Sequence, residues 1–232
     1  MLSMRVEADE GSSLAGAVSA YNRGAFEEAF ALFSALANQG DPDAKTWLGV
    51  MYAHGEGVQA SLPMAFALYL AGAESGNVLA QTNVGAMLAM GQGVAQNAEE
   101  GAAWLTRAAE QGDQFAQYNL ATLYSKGQGV PNDPAAAAAW YRKAAEAGHY
   151  PSQARLGFLY ANGLGVAKDR VEAYVWLSLA AQHGIGNALN ALEAVVSQMS
   201  SDEKRSGAAG VDRWRARTAD ASRHARLMPV PG

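Results

Sequence analysis

Ser201-x-x-Lys204 sets a hydroxyl and an amine one helical turn apart, the pairing by which a lysine can activate a serine for acyl transfer. The companion motifs of such serine enzymes, Ser-Asp-Asn and Lys-Thr-Gly, occur nowhere in the chain. Ser200 and Glu203 beside it stand at capping-box spacing, so a helix start calls for these residue types without any catalysis. A second candidate is Gly127-x-Gly129-Val130, which at first sight suits a phosphate. A phosphate loop needs a strand before it and a Lys-Ser/Thr pair at fixed offset opening a helix. Here the glycines follow a helical pattern, and a compact turn with positive φ is the better reading, with the valine set between helices. The four histidines, His54, His149, His183 and His224, never pair at i, i+3 or i+4, and no carboxylate cluster completes a metal site. No catalytic residue, metal or cofactor is therefore assigned.

Composition narrows the classes further. Of 232 residues half are apolar and 17% charged, a globular balance. The net charge of −5 argues against nucleic acid or an anionic membrane as the partner of the whole chain. Cysteine is absent, which removes disulfides, thiolate zinc sites and thiol nucleophiles together. No apolar run approaches the ~18 residues of a membrane span, so no membrane insertion is expected. "MLSMRVEADEGSS" lacks the apolar stretch of a signal peptide. The compartment is cytoplasmic by the sequence as it stands, periplasmic if an export signal has been removed. From Lys204 to Arg226 seven Lys/Arg face only Asp212 and Asp220. We read this segment as a solvated amphipathic cap in preference to a site for an acidic partner or nucleic acid.

The glycine pair is one copy of a repeat. Gly55/Gly57/Val58, Gly91/Gly93/Val94, Gly127/Gly129/Val130 and Gly163/Gly165/Val166 follow one another at 36 residues without a gap. Gly40, Gly76, Gly112, Gly148 and Gly184 keep the same step. Between them lie the columns Leu48/Val84/Leu120/Leu156, Gly49/Gly85/Ala121/Gly157 and Leu68/Trp104/Trp140/Trp176. Four full units result, 41–76, 77–112, 113–148 and 149–184.

Apolar spacings of three and four predict two helices per unit, illustrated by Ala116, Leu120, Leu123 and Tyr124, then Ala137, Trp140, Tyr141, Ala144 and Ala145. Cap residues recur in register: Asp41, Asn77 and Asp113 before the first helix, with His149 the exception, and Ser61, Asn97, Asp133 and Asp169 before the second. The unit-closing glycines suit left-handed helix ends. The tryptophan column is expected to fill the gap left by Gly85, Ala121 and Gly157. Partial units flank the four, at 12–40 and 187–199, and a closing helix weakened by Gly207 and Gly210 follows. The expected organisation is an N-terminal extension 1–11, a repeat array 12–200, and a closing helix with tail 201–232.

Ala116, Leu120, Tyr124, Gly127, Gly129, Val130, Asp133, Ala137, Trp140, Tyr141, Lys143, Ala144, Ala145 and Gly148 together resemble the Sel1-like repeat, a relative of the tetratricopeptide repeat with a longer inter-helix loop. Ala121 departs, where the family prefers glycine, as do Ser61 and Leu68 in the first unit and Leu88 and Asn97 in the second. The resemblance spans about residues 20–200. It implies an all-α, right-handed α/α superhelix of helix pairs whose first helices line the concave face. It implies, too, adaptor or regulatory work through protein contacts, with no chemistry shared across the family.

Carrying over the groove positions of tetratricopeptide first helices points to His54, Thr82, Met90, Phe115, Tyr118, Thr122, Lys126, Phe158 and Asn162 as ligand-binding candidates. These columns vary from unit to unit while core columns repeat, as a surface tuned to one partner would. Phe115, Tyr118 and Phe158 suit a docked peptide or helix. Packing between neighbouring first helices is the competing role. With Lys126 the lone base, a clamp for an acidic C-terminus is not expected. The function read is a non-enzymatic, monomeric bacterial adaptor or regulator that binds a protein or peptide. The alternatives are a β-lactamase- or esterase-like hydrolase acting through Ser201 and Lys204, and a structural scaffold of an envelope assembly.

Overall fold

Repeating caps and repeating helix ends give the chain its elements. The computed structural model describes residues 13–227, with side chains to 218. The expected extension 1–11 and the last residues of the tail lie outside them. Among the described residues there are twelve α-helices and no strand. They run α1 Leu14–Asn22, α2 Phe26–Asn38, α3 Pro42–His54, α4 Leu62–Glu74, α5 Val78–Met90, α6 Ala98–Glu110, α7 Gln114–Lys126, α8 Pro134–Glu146, α9 Tyr150–Asn162, α10 Arg170–Ala181, α11 Gly186–Val196 and α12 Ser201–Leu227. The helices form two compact units. Residues 13–123 and 127–131 make the first, and residues 124–126 and 132–227 the second.

The caps work as their residue types require. Asp41 accepts from the N–H groups of Asp43 and Ala44, and Asn77 and Asp113 accept from Ala80 and Ala116. Ser61, Asn97, Asp133 and Asp169 do the same for the second helices. His149 makes no such cap. Its Nδ1 instead lies 2.7 Å from Oγ of buried Ser152.

Two glycines in each inter-helix turn do different work. Gly91 ends α5 in the left-handed region at φ 69°, where its N–H reaches the Met87 carbonyl. Gly93, at φ 70°, presses against the start of α4. A Cβ there would lie 2.5 Å from the Leu62 carbonyl carbon, too close for any side chain. Val58, Val94 and Val166 of these turns are partly buried against the cores.

Within the first unit, one core gathers Ala17, Ala20, Phe33, Leu48 and Met51. A second gathers Tyr69, Val84, Met87 and Leu88. The second unit is built on Leu156, Tyr160, Trp176, Leu177 and Val211.

The tryptophan column does not fill the glycine gap. A Cβ on Gly85 would lie 2.6 Å from Leu105, and one on Gly157 2.6 Å from Leu177. At Gly49 the neighbour is Tyr69, 2.7 Å away. The filling residue is thus the one after the tryptophan column, and it is buried in each unit: Tyr69, Leu105, Tyr141 and Leu177. One residue is 100° of helix rotation, which turns Trp104 and Trp140 onto the half-exposed flank. There each meets a cation three residues on: Arg107 Cζ is 4.5 Å from the Trp104 ring and Lys143 Nζ 3.9 Å from Trp140. Trp176 alone of the three is fully buried, because Trp214 of α12 covers it at 4.9 Å.

Gly207 and Gly210 also serve otherwise than expected. They are the points where α12 approaches α10, with Tyr174 and Val175 standing 2.5 Å and 2.6 Å from where their Cβ atoms would be. Side-chain loss there buys proximity at the cost of some helix propensity.

Candidate functional site

The candidate residues fall on the first helices of both units. His54 and Met90 are the last residues of α3 and α5, exposed beside the left-handed glycines. Phe115 is half exposed near the start of α7, and Tyr118 and Thr122 are partly buried one turn apart on it. The Thr122 hydroxyl donates to the Tyr118 carbonyl at 2.9 Å. Lys126 closes α7 and is exposed. On α9, Phe158 is exposed, and Asn162 donates to its carbonyl at 2.8 Å.

Thr82 sits differently. It is buried on α5, its Oγ1 3.1 Å from the Val78 carbonyl and 3.0 Å from Asp113 Oδ1. Its hydroxyl thus fixes the cap of α7 and is spent on the fold. One repeat earlier the cap residue is tethered from a different position, Asn77 Nδ2 donating to Asp43 Oδ1 at 2.7 Å.

Ser201 and Lys204 are both exposed, and the bonds of their turn are those of a capping box. The Ser200 N–H donates to Glu203 Oε2 at 2.7 Å, and the Glu203 N–H to Ser200 Oγ at 3.2 Å. Hydrogen bonds from Ser200 to the Glu203 carboxyl, the backbone N–H first and then the side chain, hold it below its usual range. Among the described residues no group of three His, Asp or Glu side chains could hold a metal. None of the described helices is long and apolar enough to cross a membrane.

The register missed the surroundings of α12. Arg142 and Glu146 from α8, Glu172 and Trp176 from α10, and Arg213, Trp214 and Arg217 from α12 line a hollow of about 380 Å³. Arg217 Cζ lies 4.3 Å from the Trp214 ring, and Trp176 Nε1 donates to Glu172 at 3.0 Å. A neighbouring hollow of about 440 Å³ lies by Tyr150, Gln153, His183 and Trp214. The His183 ring stacks on Tyr150 with centroids 3.5 Å apart. The sequence signal for this region is its basic run, with arginines at 213, 215 and 217, at spacing that a solvated helix also shows.

Comparison with known proteins gives a consistent picture. The family model described as Sel1 repeat matches residues 19–41, 42–77, 78–113, 114–149 and 151–185. Curated proteins yield no match. Among solved structures, a protective antigen present in uropathogenic Escherichia coli strains, displaying an SLR fold, is similar over 93% of this chain at 26% identity and a TM-score of 0.79. A Sel1 repeat protein from Oxalobacter formigenes is 37% identical over 73% of this chain, with a TM-score of 0.66. The chain spans about half the length of each, 49% and 50%. A sel1 repeat protein from Klebsiella pneumoniae shares the fold, at 21% identity and a TM-score of 0.53 over 78% of this chain and 90% of its own.

Proposed function

Because this chain belongs to the Sel1 repeat family, whose members are typically protein-interaction modules, we propose that it is a non-enzymatic bacterial adaptor or regulator. It binds a protein or peptide through exposed apolar residues of its first helices, Met90 and Phe115 in the first compact unit and Phe158 in the second. One observation carries the reading. On those helices Met90 is 58% exposed, Phe115 52% and Phe158 47%, although the same helices bury the repeated column Leu48/Val84/Leu120/Leu156. Large apolar side chains held in water at positions the repeat leaves free are what a partner would cover. Their columns read Val50/Ala86/Thr122/Phe158 and His54/Met90/Lys126/Asn162, with no two copies alike. Phe115 and Tyr118 from α7 and Phe158 from α9 supply aromatic anchors of the kind that dominate binding energy.

The test is a double variant, Met90→Ser with Phe158→Ser. Its helical circular dichroism should match the unaltered protein, since both residues are exposed. Enrichment of co-purifying proteins, quantified by mass spectrometry, should fall about tenfold or more. Equal enrichment by the two proteins would remove the assignment.

A further inference from the structure

We infer that the hollow between α8, α10 and α12 is a second binding site, specific for a carboxylate on an acidic peptide segment with an apolar neighbour. It shares no residue with the first-helix candidates proposed above. The argument begins with which arginines are paired. In the second unit Arg170 has Glu203 at 3.7 Å, Arg215 has Asp212 at 3.8 Å, and Arg205 has Asp202. Arg142, Arg213 and Arg217 line the hollow, and among the described residues none of the three has a carboxylate within ion-pair distance. Among the described arginines of the second unit four thus lack an acid, and three of them, all but Arg155, line one concave place from two helices.

The two carboxylates nearby do not answer them. Glu172 receives the Trp176 indole N–H at 3.0 Å, while Glu146 stays exposed at the end of α8. Arg142 is held by Tyr160 instead, donating to its hydroxyl with its Cζ 5.4 Å from the ring. Arg217 rests on the Trp214 face. Rings fix these cations in place without neutralising them, so their donors remain available to an incoming acid. An arginine fork suits a carboxylate geometrically and forms charge-assisted bonds. Trp214, set edge-on to buried Trp176, lines the same hollow and offers contact to the apolar residue beside the acid.

Charge sets the occupant apart from nucleic acid. Glu146 and Glu172, which line the same hollow, would repel a continuous run of phosphates. A lone carboxylate can avoid them and meet the arginines.

The experiment uses the full chain and fluorescence anisotropy. Three labelled probes are compared: an octapeptide alternating glutamate and leucine, its glutamine counterpart, and an eight-residue thymidine oligonucleotide. The glutamate peptide should bind best, and affinity should fall with added salt. Arg213→Gln with Arg217→Gln should weaken it about tenfold or more, the loss expected when charged hydrogen bonds are removed. Both residues are exposed, so folding is not at stake, and Arg155→Gln on exposed α9 surface serves as the control that keeps affinity. The Met90→Ser, Phe158→Ser protein should also keep it, which separates this site from the first-helix candidates. Unchanged binding by the arginine double variant overturns the proposal. So does equal binding of the glutamine peptide, or tighter binding of the oligonucleotide, which would mark a nucleic-acid surface instead.

Discussion

Gln81 and Gln111 are joined side chain to side chain across two helices, the Nε2 of Gln111 donating to the Oε1 of Gln81 at 2.8 Å. Gln81 in turn donates through its own Nε2 to the Ala73 carbonyl at 3.3 Å. Gln117 and Gln153 repeat that second bond, to Ala109 and Ala145, but each keeps a buried Oε1 that has no partner among the described residues. The column that supplies Gln111 reads Ser75, Gln111, Ala147 and His183, so one copy of three is completed. A buried unpaired acceptor costs roughly 1–3 kcal/mol. Gln81→Met should therefore lower stability by about 1 kcal/mol more than Gln153→Met, which removes an orphan together with its bond. Urea midpoints of the two variants against the unaltered protein check this.

Leu105 rather than Trp104 is the residue that the close approach at Gly85 depends on. Leu105→Ala should cost about 2–5 kcal/mol, as buried leucine truncations do. Trp104→Ala should cost less despite deleting more atoms, since its ring is half exposed beside Arg107. Chemical denaturation ranks the two.

Burial, and then the 2.6 Å hydrogen bond to Glu56, pushes the Tyr21 hydroxyl up to about 12. A raised value means that the folded state holds this proton more tightly. The associated stability is complete below the ordinary tyrosine value of about 10 and is lost as pH rises toward 12. Tyr21→Phe should start less stable at neutral pH and then lose less than the unaltered protein between those limits. Thermal midpoints measured across that range decide it.

Gly210 sets how closely α12 lies on α10. Gly210→Leu places a side chain where Val175 already stands, so α12 should lift and Trp214 should leave Trp176. Intrinsic tryptophan emission should then shift to the red, and about 1–3 kcal/mol of stability should be lost. An unshifted spectrum counts against Gly210 as the point of approach.

Helices, caps and turns were legible because each follows from local chemistry repeated at fixed spacing. Asp133 accepts from the next turn's N–H groups wherever it stands before a helix, and Gly127 takes a φ that other residues avoid. What depended on angle across a helix was not legible. A column of tryptophans and the column beside it look equally apolar in sequence, and only helix rotation sends Leu105 inward and Trp104 to the flank. Thr82 was misplaced for a related reason, since its acceptor Asp113 lies 31 residues away. Gly207 and Gly210 read as helix breakers until the neighbour they admit is known. The hollow beside α12 lies outside the repeat and so had no register to announce it.

The press of Gly93 on the start of α4, and of Gly57 on the start of α2, means that main chain touches main chain where one unit meets the last. Such a contact works as a ruler. It holds each of these two turns at one distance from the preceding helix start whatever the outward positions carry, because the atoms that meet are backbone and the Cβ beside it. A lineage could therefore rewrite Met90 or His54 wholesale, or duplicate a 36-residue block, and keep the same spacing for the next partner.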